Sequence, residues 1–309
     1  MITTIFKKST PINYILVAIL MIVFFFLYQF NLKTVSFSTI QWLEKAGLLA
    51  VILGSVVVIN FVTKKNGLSK DSSYTIFFYL LFVVFFPSVL NEPNLLLANF
   101  FVLLAMRRLI SLQTLKSPKE KIFDASLWIF VATLFHFWSI LFVFLVFMSI
   151  FFHVSRDYRN WVLPFIAFVA VFIIFALFAF IFDKMAIENL FHKITFNFNI
   201  DYFTNVYQNI AISLYVTIAL FFIASLILTL SNRPLILNSS YKKLFAWIFI
   251  VTLVFAISPE KSNGLMIFSV APLAIMATNH IEITQIKWQN EVVLFLVIIC
   301  SFLGFFSQL

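Results

Sequence analysis

Three side chains that could carry acid–base chemistry stand beside apolar runs: Glu44, Glu92 and His136. The 309 residues include only 12 acidic residues and 4 histidines, and no carboxylate lies at the centre of an apolar run. A carboxylate at the end of such a run can act as general base toward an acceptor hydroxyl. An imidazole can transfer a proton, or it can be a polar tip that reaches water at a membrane surface. These three residues are the predicted catalytic candidates, and ordinary loop polarity is the alternative for each.

A pair of arginines, Arg107 and Arg108, ends the apolar run at residues 95–106. Guanidinium groups bind phosphate through two parallel hydrogen bonds, so the pair is a candidate site for a lipid phosphate. The alternative is a topological anchor, because Lys and Arg collect on the cytoplasmic side of membrane proteins.

The familiar motifs of soluble catalysis are missing from the sequence. It has no phosphate-binding glycine loop, no zinc-binding His-Glu-x-x-His and no serine nucleophile elbow. The single cysteine, Cys300, excludes an intrachain disulfide and a cysteine-based metal site. No cofactor and no metal are therefore predicted. The net charge of +9 fits basic cytoplasmic loops, so no nucleic-acid partner is predicted either.

The elements that must position these residues are membrane helices. The chain is 63% hydrophobic and 11% charged, and apolar runs near 20 residues recur along its whole length. This pattern predicts an all-α, polytopic transmembrane helix bundle that forms one integral membrane domain over residues 1–309. The predicted eleven spans are residues 12–30, 46–62, 74–90, 95–106, 122–135, 137–152, 161–182, 210–230, 244–257, 264–277 and 292–306.

The orientation depends on whether the run at residues 122–152 is one helix or two helices that turn near His136. With two helices, 16 basic residues lie on the cytoplasmic side and 5 outside; with one helix, the division is 13 to 8. The positive-inside rule favours two helices, the N-terminus inside and the C-terminus outside. The outer face then carries Glu44, Glu92, His136, Asp183, Glu188, Asp201 and Glu260.

Residues 183–208 form the largest hydrophilic segment between spans. Apolar residues recur at helical spacing in its first half and alternate with polar residues in its second half. The segment is therefore predicted to be an outer-face amphipathic loop, an interfacial helix followed by an extended stretch.

The stretch from residue 93 to residue 152 resembles the central region of bacterial polysaccharide-polymerase-like proteins and of GT-C type multispanning glycosyltransferases. In those families a Pro-containing outer loop leads into a short span that ends in basic residues. Two further short spans then meet at an outer turn, often with His followed shortly by Ser. The matching residues are Pro93, Arg107, Arg108, His136 and Ser139. GT-C enzymes carry an Asp or Asp/Glu motif in the first outer loop, whereas residues 31–45 contain only Glu44. The composition also resembles multispanning membrane proteins of Bacteroidota.

The resemblance implies a multi-pass protein of the bacterial inner membrane that transfers or polymerises sugars from a polyprenyl-phosphate-linked donor in cell-envelope glycan assembly. Its partners are then membrane lipids and the lipid-linked glycan. The alternative is a non-catalytic integral subunit or scaffold, held to other membrane protein subunits by Phe-rich helix surfaces. A transporter is the third hypothesis, and the sequence leaves open whether the chain is an enzyme.

Overall fold

The computed structural model describes residues 2–31, 39–182, 185, 187–188, 190, 194–198, 205–232, 234–284 and 286–309. Every regular element in these residues is a helix, as the all-α prediction requires. Eight helices of the described ranges are long and apolar enough to cross a membrane, so the chain is a multi-pass membrane protein. The eleven-span count and the orientation of the termini stay predictions.

Within the described ranges, the α-helices are α1 (Ile2–Phe6), α2 (Pro11–Asn31), α3 (Thr39–Lys65), α4 (Tyr74–Val84), α5 (Pro93–Ser111), α6 (Pro118–Phe135), α7 (Val143–His153), α8 (Arg159–Phe182), α9 (Val206–Thr229), α10 (Leu235–Ile257), α11 (Ile267–Ile283) and α12 (Lys287–Ser307). Short 3-10 helices lie at Pro87–Asn91, Leu112–Thr114, Phe137–Phe142, Leu230–Asn232 and Asn263–Met266.

The chain forms two compact units. The first unit comprises Met1–Leu96, Ile200–Pro234 and Ser262–Leu309, and the second comprises Leu97–Asn199 and Leu235–Lys261. Helix α5 begins in the first unit and continues in the second.

Helix α4 is the centre of the first unit, and all of its residues are buried. It packs against α11, α3 and α12. Two polar groups of this core are bonded: the Thr278 hydroxyl donates to Thr75 Oγ1 over 3.1 Å, and the Ser301 hydroxyl donates to the Leu81 carbonyl over 2.7 Å. The core helix is therefore fixed by hydrogen bonds as well as by apolar packing.

Helix α4 stops before the predicted end of its span. Phe86 precedes Pro87 and lies outside the α-helical region at φ −127° and ψ 75°, because proline disfavours that region in the residue before it. The chain continues as the Pro87–Asn91 3-10 helix. The carbonyls freed by the break are bonded by side chains, since the Gln308 amide donates to Phe85 O at 2.9 Å and the Gln29 amide donates to Leu90 O at 3.2 Å. The break is thus compatible with an apolar surrounding.

The second unit is built around α6, which packs along α8. Phe130 of α6 meets Ala167 and Val171 of α8 in a shared apolar core. Helix α10 packs against α7 and the Phe137–Phe142 3-10 helix. There, the rings of Trp247 and Phe142 lie edge to face with centroids 6.1 Å apart.

The predicted division of residues 122–152 into two helices is confirmed. Helix α6 ends at Phe135, and His136 adopts an extended conformation at φ −132° and ψ 107°. A 3-10 helix follows and leads into α7.

Several helices extend beyond the predicted spans and include charged residues. Glu44 lies inside α3, Arg107 and Arg108 lie inside α5, and Lys243 lies inside α10. A helix end accommodates such residues, because long side chains bury their stems and carry their charge outward. Lys243 is different, since its side chain is fully buried.

Much of the predicted outer loop at residues 183–208 lies outside the described residues. Among its described residues, 187–188 and 190 are helical, 194–198 have no helix or strand, and 206–208 belong to α9. Phe196 and Phe198 are exposed. The prediction that this segment lies flat on the membrane stays a prediction.

Candidate functional site

Glu92 sits where the 3-10 helix Pro87–Asn91 passes into α5. Its carbonyl accepts the first helical hydrogen bond of α5, from the Leu96 N–H at 3.1 Å. Pro93 is the first residue of α5, a position that proline favours because the missing N–H is not needed there. This local sequence therefore places a half-buried carboxylate at the start of a helix.

Gly264 allows the Glu92 carboxylate to approach the backbone closely. A Cβ on Gly264 would lie 2.9 and 3.1 Å from the two carboxylate oxygens of Glu92, and 3.0 Å from the Ser262 hydroxyl oxygen. Gly264 belongs to the Asn263–Met266 3-10 helix, which packs against the Pro87–Asn91 3-10 helix. Two helix interruptions of the first unit therefore meet where the carboxylate and hydroxyl converge.

Glu44 belongs to the same unit. It is exposed on α3, and the ammonium group of the next residue, Lys45, donates to Asn91 Oδ1. This bond brings the turn that carries Glu44 to the residue directly before Glu92.

His136 belongs to the second unit. Its Nε2 lies 3.4 Å from the hydroxyl oxygen of Ser258, just beyond the end of α10. Its carbonyl accepts from the Ser139 N–H at 3.0 Å, so the backbone turn that carries the imidazole is closed by a hydrogen bond. The imidazole is half-buried rather than fully exposed.

Polar and aromatic groups surround the His136 turn. The Lys261 ammonium donates to Asn197 O and, over 3.3 Å, to Ser258 O. The rings of Trp138 and Phe196 lie 4.7 Å apart. Among the described residues, the buried Trp138 Nε1 has no hydrogen-bond partner. The sequence does not single out Lys261 and Asn197, because their contact joins positions that are 64 residues apart.

The two arginines lie half-buried on α5, in the second unit. Arg108 Nη2 pairs with Asp124 Oδ2 on α6 at 2.8 Å. A phosphate that binds Arg108 therefore competes with this carboxylate or shares the guanidinium group with it.

Lys243 is a polar residue of the second unit whose position the sequence mispredicted. Its side chain is fully buried, and its ammonium donates to the Leu109 carbonyl at 2.6 Å. One turn away, Ser240 donates to Gln113 Oε1 at 3.1 Å. A charge inside a membrane protein is costly and commonly marks function, so Lys243 is a site candidate that only the folded structure reveals.

Within the described ranges, no group of three or more His, Cys, Asp or Glu side chains could hold a metal ion. The first unit contains Glu44 and Glu92, whose neighbours Lys45 and Asn91 are in contact, and the second contains His136, Arg107 and Arg108. The first set offers a base beside a hydroxyl, and the second offers an imidazole and two cations.

Comparisons with known proteins place the chain in a family. No curated protein and no solved structure matches it. A family model described as a family of unknown function, DUF6427, matches residues 1–309. Because this match spans the whole sequence, the chain belongs to that family.

Proposed function

We propose that this chain is a bacterial inner-membrane enzyme that transfers or polymerises sugars from a polyprenyl-phosphate-linked donor, with Glu92 as the general base. The observation that carries the proposal is the position of the Glu92 carboxylate, against Gly264 and beside Ser262 where two helix interruptions meet. A base so placed can accept the proton of an acceptor hydroxyl as that oxygen bonds to the donor sugar, while the sugar–phosphate bond breaks and the polyprenyl phosphate leaves.

The surroundings of Glu92 support a site rather than a solvated loop charge. Irregular backbone at membrane depth is tolerated where it is buried in protein or lines a water-filled cavity. The carbonyl of Leu90, two residues before Glu92, is bonded by Gln29, and Asn91 is bonded by Lys45. These bonds fix the backbone that carries Glu92, and a fixed backbone favours the alignment that proton transfer requires.

The other predicted residues take supporting roles in this proposal. His136 is the second candidate group for proton transfer, in the second unit, where its Nε2 lies 3.4 Å from the Ser258 hydroxyl oxygen. Arg107 and Arg108 lie about four turns further along α5 than Glu92, so in this proposal they bind a membrane-lipid phosphate rather than the phosphate that leaves the donor sugar. The carrier's hydrocarbon chain needs an apolar surface, and α8 exposes Phe165, Phe168 and Phe172 along its length.

The α8 surface also supports a second candidate, a non-catalytic subunit of a membrane complex. Only 17% of the residues in the apolar stretch of α8 are buried within the chain. The same exposed Phe side chains could cover another membrane subunit, because aromatic residues are enriched at the buried cores of interfaces.

Amide and alanine substitutions separate the two candidates. The measured quantity is surface glycan, in cells whose only gene copy encodes Glu92→Gln or His136→Ala. We expect both variants to reach the membrane folded and to lose glycan. Glu120→Gln is the matched control, because it makes the same change at an exposed residue of α6. Normal glycan levels in both variants refute the proposal that the chain is an enzyme. The non-catalytic subunit of a membrane complex is then the working hypothesis.

A further inference from the structure

The second unit contains a cavity that the proposed function does not use. It has a volume of about 540 Å³ and lies between the first turn of α6, the last turn of α7 and the turn that leads into α8. Small-molecule sites commonly fall within about 300–1,000 Å³. The polar residues that line it include Lys119, His153, Arg156, Asp157 and Asn160.

Positive charge dominates the rim of this cavity. Asp157 accepts the Arg159 N–H at 3.0 Å and pairs with Lys119 at 3.3 Å. The bond from the Arg159 N–H, together with Lys119, lowers the pKa of Asp157, so this carboxylate is ionised and its charge is matched. Arg156 is exposed and forms no ion pair within the described part of the chain. It therefore leaves the cavity with an uncompensated cation.

Two buried polar atoms of the lining lack partners. Asn160 is only 2% exposed, and its amide nitrogen donates to the Val154 carbonyl at 3.0 Å. Across the residues that the structure describes, no hydrogen-bond partner is found for Asn160 Oδ1 or for His153 Nε2. Buried polar atoms are almost always bonded, so these two atoms lack the partner that such atoms normally have.

We propose that this cavity binds a phosphate ester that also carries a hydroxyl or amino group. Arg156 holds the phosphate through its two-pronged guanidinium group. The hydroxyl or amino group donates to Asn160 Oδ1, and His153 Nε2 bonds a further polar atom of the same ligand. Phospholipid headgroups and soluble sugar or polyol phosphates share this chemistry. The site is independent of Glu92 and of the proposed glycan chemistry.

The full-length protein in detergent tests the proposal with two probes. The soluble probe is glycerol 3-phosphate, titrated calorimetrically beside glycerol and inorganic phosphate. The lipid probe is phosphatidylglycerol, counted on the protein by native mass spectrometry beside phosphatidylcholine. The test variant is Arg156→Gln. Lys116→Gln is the matched control, because it removes one exposed charge from the same loop region outside the cavity.

We expect one probe to bind in preference to its comparison compound, and Arg156→Gln to weaken it about tenfold or more, as loss of a charged hydrogen bond does. Lys116→Gln should stay within about twofold, as expected for an exposed charge. Binding of glycerol 3-phosphate identifies a soluble ligand, and binding of phosphatidylglycerol alone identifies a lipid headgroup. No preference for either probe, or equal effects of Arg156→Gln and Lys116→Gln, overturns the proposal.

Discussion

We expect Gly264→Ala to impair activity without unfolding the protein. The new Cβ would lie 2.9 Å from one Glu92 oxygen, whereas ordinary contact begins at 3.4 Å, so the carboxylate must retreat by about 0.5 Å. The groups that give way are the ends of flexible side chains, so we expect a stability change within about 0.5 kcal/mol. Catalytic geometry is far less tolerant, because a 1 Å misplacement can lower a rate about 100-fold. A shift of half that distance predicts a loss of about tenfold.

Two other glycines calibrate this experiment. A Cβ on Gly304 would meet the ring of Phe85 at 2.9 Å, and that ring is fully buried. Overpacking of this kind costs about 1–3 kcal/mol, so Gly304→Ala should destabilise the fold. A Cβ on Gly47, inside α3, would meet nothing within 4 Å. Alanine is the better helix former by up to about 1 kcal/mol, so Gly47→Ala should be silent or stabilising.

The assay combines surface glycan with protein stability. Gene expression is lowered until glycan is proportional to the amount of protein, so that a tenfold loss of rate becomes visible. The melting temperature of each purified variant is measured in detergent. Full glycan from Gly264→Ala at normal protein levels refutes the reasoning, because the carboxylate then tolerates displacement. A large fall in its melting temperature refutes the assignment of flexible neighbours.

Three further predictions concern topology and buried charge. A reporter that is active only outside the cytoplasm should be active when fused after Leu309; activity of a cytoplasmic reporter there contradicts the eleven-span arrangement. Lys243→Gln keeps a donor for the Leu109 carbonyl, so this variant should accumulate in the membrane. Lys243→Glu buries a carboxylate against the same carbonyl oxygen at a cost of about 3 kcal/mol or more, so this variant should be lost. Fluorescence-detected gel filtration measures the amount of each folded variant. Asp124→Asn removes the half-exposed ion pair to Arg108 and should change stability by no more than about 1 kcal/mol, as a melting curve can check.

Some features of the fold follow from sequence alone because their cause is global. The break at His136 has neither proline nor glycine, yet it was predicted, since only two helices separate the basic residues well across the membrane. Pro87 is a local signal for the end of a helix. The residues on both sides of it are apolar, however, so the predicted span continues past the end of α4.

The contacts within the candidate site could not be predicted from the sequence. Glu92 was found as one of few carboxylates beside an apolar run. Its contact with Gly264 joins residues that are far apart in sequence, and a glycine alone does not reveal its neighbour. The predicted span begins at residue 244, just beyond Lys243, because a lysine is rarely buried. Its burial depends on an acceptor, Leu109 O, that only the assembled unit provides.

The buried Lys243 ammonium also constrains the order in which the protein can be assembled. Its acceptor lies 134 residues earlier in the chain. At about 5–20 residues per second, α5 leaves the ribosome on the order of ten seconds before α10. A solitary α10 would leave this ammonium without its acceptor, and docking beside Leu109 supplies it. Helix α5 is therefore already present when α10 is synthesised, and it supplies the acceptor for Lys243. A fragment of the protein synthesised without α5 should fail to integrate α10 stably.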